Sequence, residues 1–251
     1  MSPDIIFIAI AIPAVLLTGL SKGGLGGSLG MLSTPLIALT VSPVRAAAIM
    51  LPILVVMDIV ALLTYRRHVN WRVVWQMIPG ALAGIGIGWA TAAWVNEDMF
   101  RILVGLIAIV FAVNNFVSDR LKRSAASESA VRGNFWGAIT GYTSFVAHAG
   151  GPPFNAYALP LKMDKMLFAG TGVMFFAIIN AVKLVPYLAL GQFSRENLHV
   201  SALLMPVAVI GVMAGVWTVR RISQTIFYNV TYAAMIVIGA KLLYDGVTAL
   251  I

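Results

Sequence analysis

The sequence predicts an all-α, polytopic integral membrane protein made of two inverted repeats, and three observations point there. Of 251 residues, 60% are apolar and only 10% charged, with a mean hydropathy of +0.93; a soluble domain typically carries about 25% charged residues. The apolar residues fall into blocks long enough to cross a bilayer, which takes roughly 20 residues per helix. Two blocks are interrupted by glycine-rich polar breaks at matching points of the two halves. A soluble enzyme and a disordered chain are excluded by this composition. With no cysteine there is no disulfide scaffold, thiolate metal site or Cys nucleophile, and three histidines give little basis for a metal centre, so no cofactor is expected.

The N-terminal repeat covers residues 1–117. No basic residue precedes its first apolar run and no small-residue cleavage site follows, so residues 5–20 read as retained structure rather than a signal peptide. Residues 5–39 are too many for one span, and Ser21-Lys22-Gly23-Gly24 divides them into two arms of about 16 residues, read as a hairpin that dips into the membrane and returns. Full spans follow at 43–65, 73–95 and 99–117. Residues 118–133 are polar and read as a cytoplasmic linker. The C-terminal repeat, 134–251, repeats the order: a hairpin at 135–161 broken at His148-Ala149-Gly150-Gly151-Pro152-Pro153, then spans at 166–190, 198–219 and 225–250.

Shifting the chain by 127 positions places Asn70 on Asn197, Pro79 on Pro206, Gly84 on Gly211 and Gly88 on Gly215. A returning hairpin does not change sides whereas three spans do, so the second repeat is inverted. Charge supports the same topology, because cytoplasmic loops collect Lys and Arg. Inner loops would hold Arg66, Arg67, Arg72, Arg120, Lys122, Arg123, Arg132, Lys162, Lys165, Arg220 and Arg221, and outer ones only Arg45, Arg101 and Arg195. The linker is therefore inside and both termini outside. This asymmetry accounts for the net charge of +8 without a nucleic-acid partner.

Inverted repeats with discontinuous helices are a transporter architecture, with the breaks meeting near the bilayer midplane. Half-helix N-termini there offer unpaired amides to an anion. The candidate substrate-binding residues are Ser21, Lys22, Gly23, Gly24, Gly26 and Gly27 at the first break, His148, Gly150 and Gly151 at the second, and Asn180 and Lys183 in the span after it. Lysines supply positive charge, glycines bring the backbone close to a ligand, and serines donate hydroxyls. Each has a plainer explanation. The glycines are spaced for helix packing, and His148 can be a neutral imidazole bonded to a carbonyl. His148 and Asp58 are also proton-coupling candidates, although an Asp58–Lys183 ion pair would occupy both its members. Lys241 and Asp245, at i, i+4, are expected to neutralise one another. Gly80, Gly84 and Gly88, and Gly133, Gly137 and Gly141, read as packing stripes. Trp71, Trp75, Trp89 and Trp94 read as interfacial aromatics.

At these residues the chain resembles the TauE/SafE family of membrane permeases. The resemblance rests on the glycine-rich break followed by Pro35-Leu36, on Gly150-Gly151-Pro152-Pro153, and on Asn180-Ala181-Val182-Lys183-Leu184-Val185-Pro186-Tyr187 leading to Gly191. It runs nearly end to end; His148 departs from the small or aliphatic residue expected there. It implies export of sulfur-containing anions such as sulfite, sulfoacetate and related organosulfonates.

The expected function is thus a secondary transporter exporting such an anion across the bacterial inner membrane by alternating access. Its partners would be that anion and the lipid bilayer, with homo-oligomerisation left open. A passive anion channel of the same fold is one alternative. A second is an intramembrane serine hydrolase, since Gly19-Leu20-Ser21-Lys22-Gly23 matches Gly-x-Ser-x-Gly and His148 could act as base. That motif belongs on a strand-to-helix turn, and no strand is apparent. The protein is therefore expected not to be an enzyme.

Overall fold

The computed structural model describes residues 5–24, 29–92 and 125–250, together with positions 102, 106, 109, 110 and 113, which are helical. Most of the expected span at 99–117 lies outside the described residues, as do Trp94, Gly26 and Gly27. The described chain is helical throughout: α1 (Ile5–Lys22), a 3-10 turn (Leu29–Leu32), α2 (Ser33–Ile37), α3 (Pro43–Tyr65), α4 (Trp71–Thr91), α5 (Ala130–Ala147), α6 (Gly151–Ala158), a second 3-10 turn (Leu159–Leu161), α7 (Lys165–Ala189), α8 (Arg195–Arg221) and α9 (Gln224–Leu250). Six described helices are long and apolar enough to cross a membrane, namely α1, α3, α4, α7, α8 and α9. The protein is a multi-pass membrane protein.

Helix starts follow capping chemistry as well as hydropathy. Ser42, Asn70, Ser129, Asp164 and Ser194 each accept a bond from a backbone N–H of the following first turn. Ser129 therefore starts α5 at Ala130, and residues 130–133, assigned to the linker by their polarity, form its first turn. The broken segments also differ from two equal arms. Both entering helices, α1 and α5, are 18 residues long, whereas the returning arms are short. Ser21 and Lys22 extend α1, and the glycine-rich stretch after them has low helix propensity.

Three helices run in the same direction on one side of the molecule. Gly19 lies against Gly211 and Gly23 against Gly215, so α1 is parallel to α8. Arg45 Nε donates to Asn197 Oδ1 at 3.2 Å and Ser201 Oγ to Ile49 O at 2.8 Å, so α3 is parallel to α8 as well. The chain between α1 and α3 must therefore turn back. On the other side α5 runs parallel to α4, with Asn134 beside Gly80, Ala138 beside Gly84 and Phe145 beside Gly88. Helix α7 starts beside α4, where Asn70 N donates to Thr171 Oγ1 at 2.9 Å, and reaches the end of α5, where Tyr187 Oη donates to Phe145 O at 2.9 Å. Here too the chain turns back after the break. Each broken helix thus packs on a long helix from the opposite half of the sequence.

These pairings explain the glycine stripes. A Cβ at Gly80, Gly84, Gly137 or Gly141 would overlap a backbone carbonyl of the partner helix, so α4 and α5 approach at backbone contact. Phe7, Ala11, Ala14 and Val15 of α1 join Ala46, Ile49, Met50 and Ile53 of α3 and Val200, Leu204, Ala208 and Val212 of α8 in one core. A second core joins α4, α6, α7 and α9, with Phe154 against Phe168 and Phe175, and Phe168 against Phe227. Trp71, Trp75 and Trp89 stay exposed on the apolar surface. Charges collect at the two ends. Arg45 pairs with Glu196 at 2.7 Å at one end, and Arg72 with Glu128 at 3.2 Å at the other, where Lys165 Nζ also donates to Ile222 O.

Candidate functional site

The first break begins where α1 ends. Ser21 and Lys22 form its last turn, and Gly24 follows with φ +127°, a conformation closed to ordinary side chains. A Cβ at Gly24 would also stand 2.5 Å from Tyr65 Oη, which donates to Gly23 O at 2.6 Å and pins the end of the helix to α3. Gly23 itself is pressed onto α8: a Cβ there would be 2.5 Å from Val212 O. Its smallness serves helix packing at this point. The Lys22 ammonium reaches Asp58 Oδ1 at 2.5 Å, with the two side chains only 11% and 3% exposed. Asp58 Oδ2 accepts from Asn180 Nδ2 at 2.6 Å. The carboxylate therefore joins α1, α3 and α7.

The second break closes differently. His148 ends α5 in the left-handed region, φ 53°, while its N–H and that of Ala149 cap the helix through Ser144 O and Thr143 O, each at 3.2 Å. One turn on from Asn180, Lys183 is fully buried. Its Nζ lies 3.0 Å from each of Ser144 O, Ser144 Oγ and His148 Nδ1. His148 Nε2 lies 3.0 Å from Ala47 O. A carbonyl can only accept, so Nε2 carries the proton, and Nδ1 of the neutral ring is the acceptor. Lys183 Nζ thus meets three neutral groups and no carboxylate among the described residues. The bond to a carbonyl is the plainer role open to His148. The Asp58–Lys183 ion pair that the sequence left open is not formed; Asp58 pairs with Lys22, which arrives on α1 from a part of the sequence whose position α7 cannot encode.

The two breaks are adjacent. Met31 of the first returning arm packs with Ala149 in one apolar cluster. Phe176 stands between them: Lys22 Nζ lies 5.1 Å from its ring centroid, and a Cβ on Gly150 would be 3.0 Å from its ring edge. A small cavity beside the first break is lined by Ser21, Lys22, Gly24, Phe154, Phe168 and Phe176, with Ala169, Gly172 and Val173. Ser21 Oγ is buried and finds no hydrogen-bond partner among the described residues. At the second break, by contrast, Pro152 and Pro153 occupy the first turn of α6 and carry no N–H, and Phe154 N bonds Gly150 O at 3.1 Å. Little of that helix N-terminus remains for an anion beyond the amide of Gly151.

Of the sequence-derived site residues, Ser21, Lys22 and Gly24 line the cavity. Asn180 joins Asp58 and Lys22 in one polar cluster, and Lys183 joins His148 and Ser144 in another. Gly150 and Gly151 shape the second turn. A Ser21–His148 dyad is not formed, since both imidazole nitrogens are engaged elsewhere. Sequence reasoning missed Ser144, Tyr65, Tyr187 and Phe176. Helical spacing could have found two of them, Ser144 being four residues before His148 and Phe176 four before Asn180. Lys241 and Asp245 pair at 2.5 Å, away from the site.

No solved structure matches this chain. A probable sulfite/organosulfonate exporter TauE from Cupriavidus necator is 24% identical over 187 residues, covering 73% of this chain and 72% of that protein. The sulfite exporter TauE/SafE family model matches residues 11–242, and with nearly the whole chain inside that match, the protein belongs to this family of membrane exporters.

Proposed function

We propose that the protein exports a small sulfur-containing anion, namely sulfite, sulfoacetate or a related organosulfonate, across the bacterial inner membrane by alternating access. The observation that carries this reading is the first break, where Lys22 and Ser21, whose buried hydroxyl is unpartnered among the described residues, line a small, largely apolar cavity between packed helices. Charge buried at such depth is costly and marks a solute pathway in membrane proteins. Lys22 balances the anion, Ser21 donates to it, and Gly24, with Gly26 and Gly27 beyond it, lets backbone amides approach. Asn180 and Lys183 hold the polar wall behind. The relative from Cupriavidus necator supplies the substrate class. A small anion leaving a cell that is negative inside gains about 2.3 kcal/mol per charge at 100 mV, so the outward direction is favoured.

The two parallel pairings, α1 on α8 and α5 on α4, support a repeat architecture in which each broken helix rides on the opposite half. Rocking of these pairs about the central site would expose it to one side and then the other. The test is flux in proteoliposomes. Lys22→Ala should lower sulfite or sulfonate flux at least about tenfold while the protein still elutes as a folded species. Unchanged flux in that variant would remove Lys22 from the site.

A further inference from the structure

The first break lies close to one end of the molecule. Tyr65, the last residue of α3, and Val219, in the last turn of α8, both stand against Gly24: a Cβ there would be 2.5 Å from Tyr65 Oη and 3.1 Å from Val219 Cγ2. Ala169, near the start of α7, would be 3.2 Å away and lines the cavity together with Gly24. Beyond these residues the surface is basic. Arg66 and Arg67 follow Tyr65, and Arg220 and Arg221 follow Val219, all four exposed. Arg220 is within electrostatic reach of Tyr65, whose hydroxyl holds Gly23 O. Arg221 is engaged by the exposed Trp217, its guanidinium carbon 4.4 Å from the ring centroid. Among the described residues, Arg66, Arg67 and Arg220 form no ion pair. The acids described at this end are used elsewhere: Glu128 pairs with Arg72 and accepts from Asn70, and Asp164 caps α7. Helix C-termini favour cations and cytoplasmic loops collect them. Neither tendency requires that they stand over the break that lines a cavity.

Resting on the anion-export reading above, we infer that Arg66, Arg67 and Arg220 form a loading site for the anion, at the start of a route from the basic end to Lys22 and Ser21. A guanidinium stays charged at every working pH. Its paired N–H groups suit two oxygens of one sulfite or sulfonate group. Clustered like charges beside a low-dielectric wall raise the local concentration of the opposite ion. Because the three side chains are exposed, the anion remains hydrated there and is held weakly enough to move on. Displacement of Tyr65 and Val219 from Gly24 then opens the way inward. Anions of one and two charges are both admitted, the second more strongly drawn. The surplus of Arg and Lys puts this end in the cytoplasm, the side from which an exporter takes its cargo.

Flux of methanesulfonate and of sulfoacetate through the full-length protein in neutral phosphatidylcholine vesicles tests this, with substrate supplied to the basic end. In about 10 mM salt, where charges act over about 30 Å, Arg66→Gln, Arg67→Gln and Arg220→Gln together should raise the half-saturating concentration at least about fivefold. The rise should be larger for sulfoacetate, and saturating flux should stay within about twofold of wild type. In about 1 M potassium gluconate, where the range falls to about 3 Å, the difference should vanish. Arg66→Lys, Arg67→Lys and Arg220→Lys together keep the charge and should keep the wild-type values. Arg132→Gln, which removes a charge from the first turn of α5 at the same end, should change half-saturation less than about twofold. An unaltered half-saturating concentration in the triple Gln variant, with flux intact, overturns the loading site and leaves the export reading standing. A fall in saturating flux alone assigns the arginines a structural part and overturns it too. So does an effect confined to vesicles containing phosphatidylglycerol, which would mean that the arginines hold lipid headgroups. If the wild type carries neither sulfonate nor sulfite, the export reading itself falls, and the loading site with it.

Discussion

The two helix breaks differ in how fully their polar groups are satisfied. At the second, His148 Nε2, Lys183 Nζ and Tyr187 Oη each meet a neighbouring acceptor, Ser144 supplying two of them, and two prolines remove amides from the helix start. At the first, Ser21 Oγ has no partner among the described residues and Lys22 faces a cavity. A saturated network rigidifies, whereas unsaturated groups are available to a guest. On the proposed function, the second break is the frame and the first the place where a ligand gains most. The two breaks, alike in sequence, differ in structure.

Lys183→Met gives the largest expected effect. It strands the Ser144 hydroxyl and His148 Nδ1 in a buried position, and unsatisfied buried groups cost about 1–3 kcal/mol each. A loss of about 3 kcal/mol or more should appear in unfolding of the detergent-solubilised protein. A loss below about 1 kcal/mol would mean that the second break is not the frame. His148 offers a finer comparison, because its left-handed backbone is a position that Asn tolerates and Ala does not. Both His148→Asn and His148→Ala lose the bond to Ala47 O, yet the Asn variant should be about 1 kcal/mol the more stable of the two. Equal stabilities would show that the backbone conformation there carries no strain.

Ser21→Ala is the mildest and the most telling of the three. Because its hydroxyl is unpartnered, removal should leave stability within about 0.5 kcal/mol of wild type, or raise it. Sulfonate flux in proteoliposomes should nonetheless fall several-fold. A clear stability loss without any change in flux would turn the contrast between the two breaks around.

Much of the fold was legible because crossing a bilayer imposes length and apolarity on each helix. Hydropathy alone locates α3, α7, α8 and α9 to within a few residues, and the low-charge composition excludes a soluble protein. Residues 130–133 escaped because polarity resembles a loop, while Ser129 starts a helix through a cap that hydropathy does not see. The unequal arms of the broken segments escaped for a related reason, since an apolar run marks burial and not how far a helix persists. Within the site, Lys22, Asp58, Asn180 and Lys183 stood out because each is costly at its depth. Their pairing did not, because the cost of a charge says nothing about which opposite charge will meet it.

Composition, spacing and the cost of polar atoms in hydrocarbon determine from the sequence alone that this is a membrane-spanning helical chain with two interruptions rich in polar residues. The tertiary structure alone decides that α1 reaches Asp58 before α7 can, that Phe176 lies between the interruptions, and that the glycines of α1 face α8. Local periodicity fixes which face of a helix is apolar, but the partner of each face depends on contacts among segments distant in the sequence. Those contacts assign one lysine to a carboxylate and leave the other with neutral neighbours.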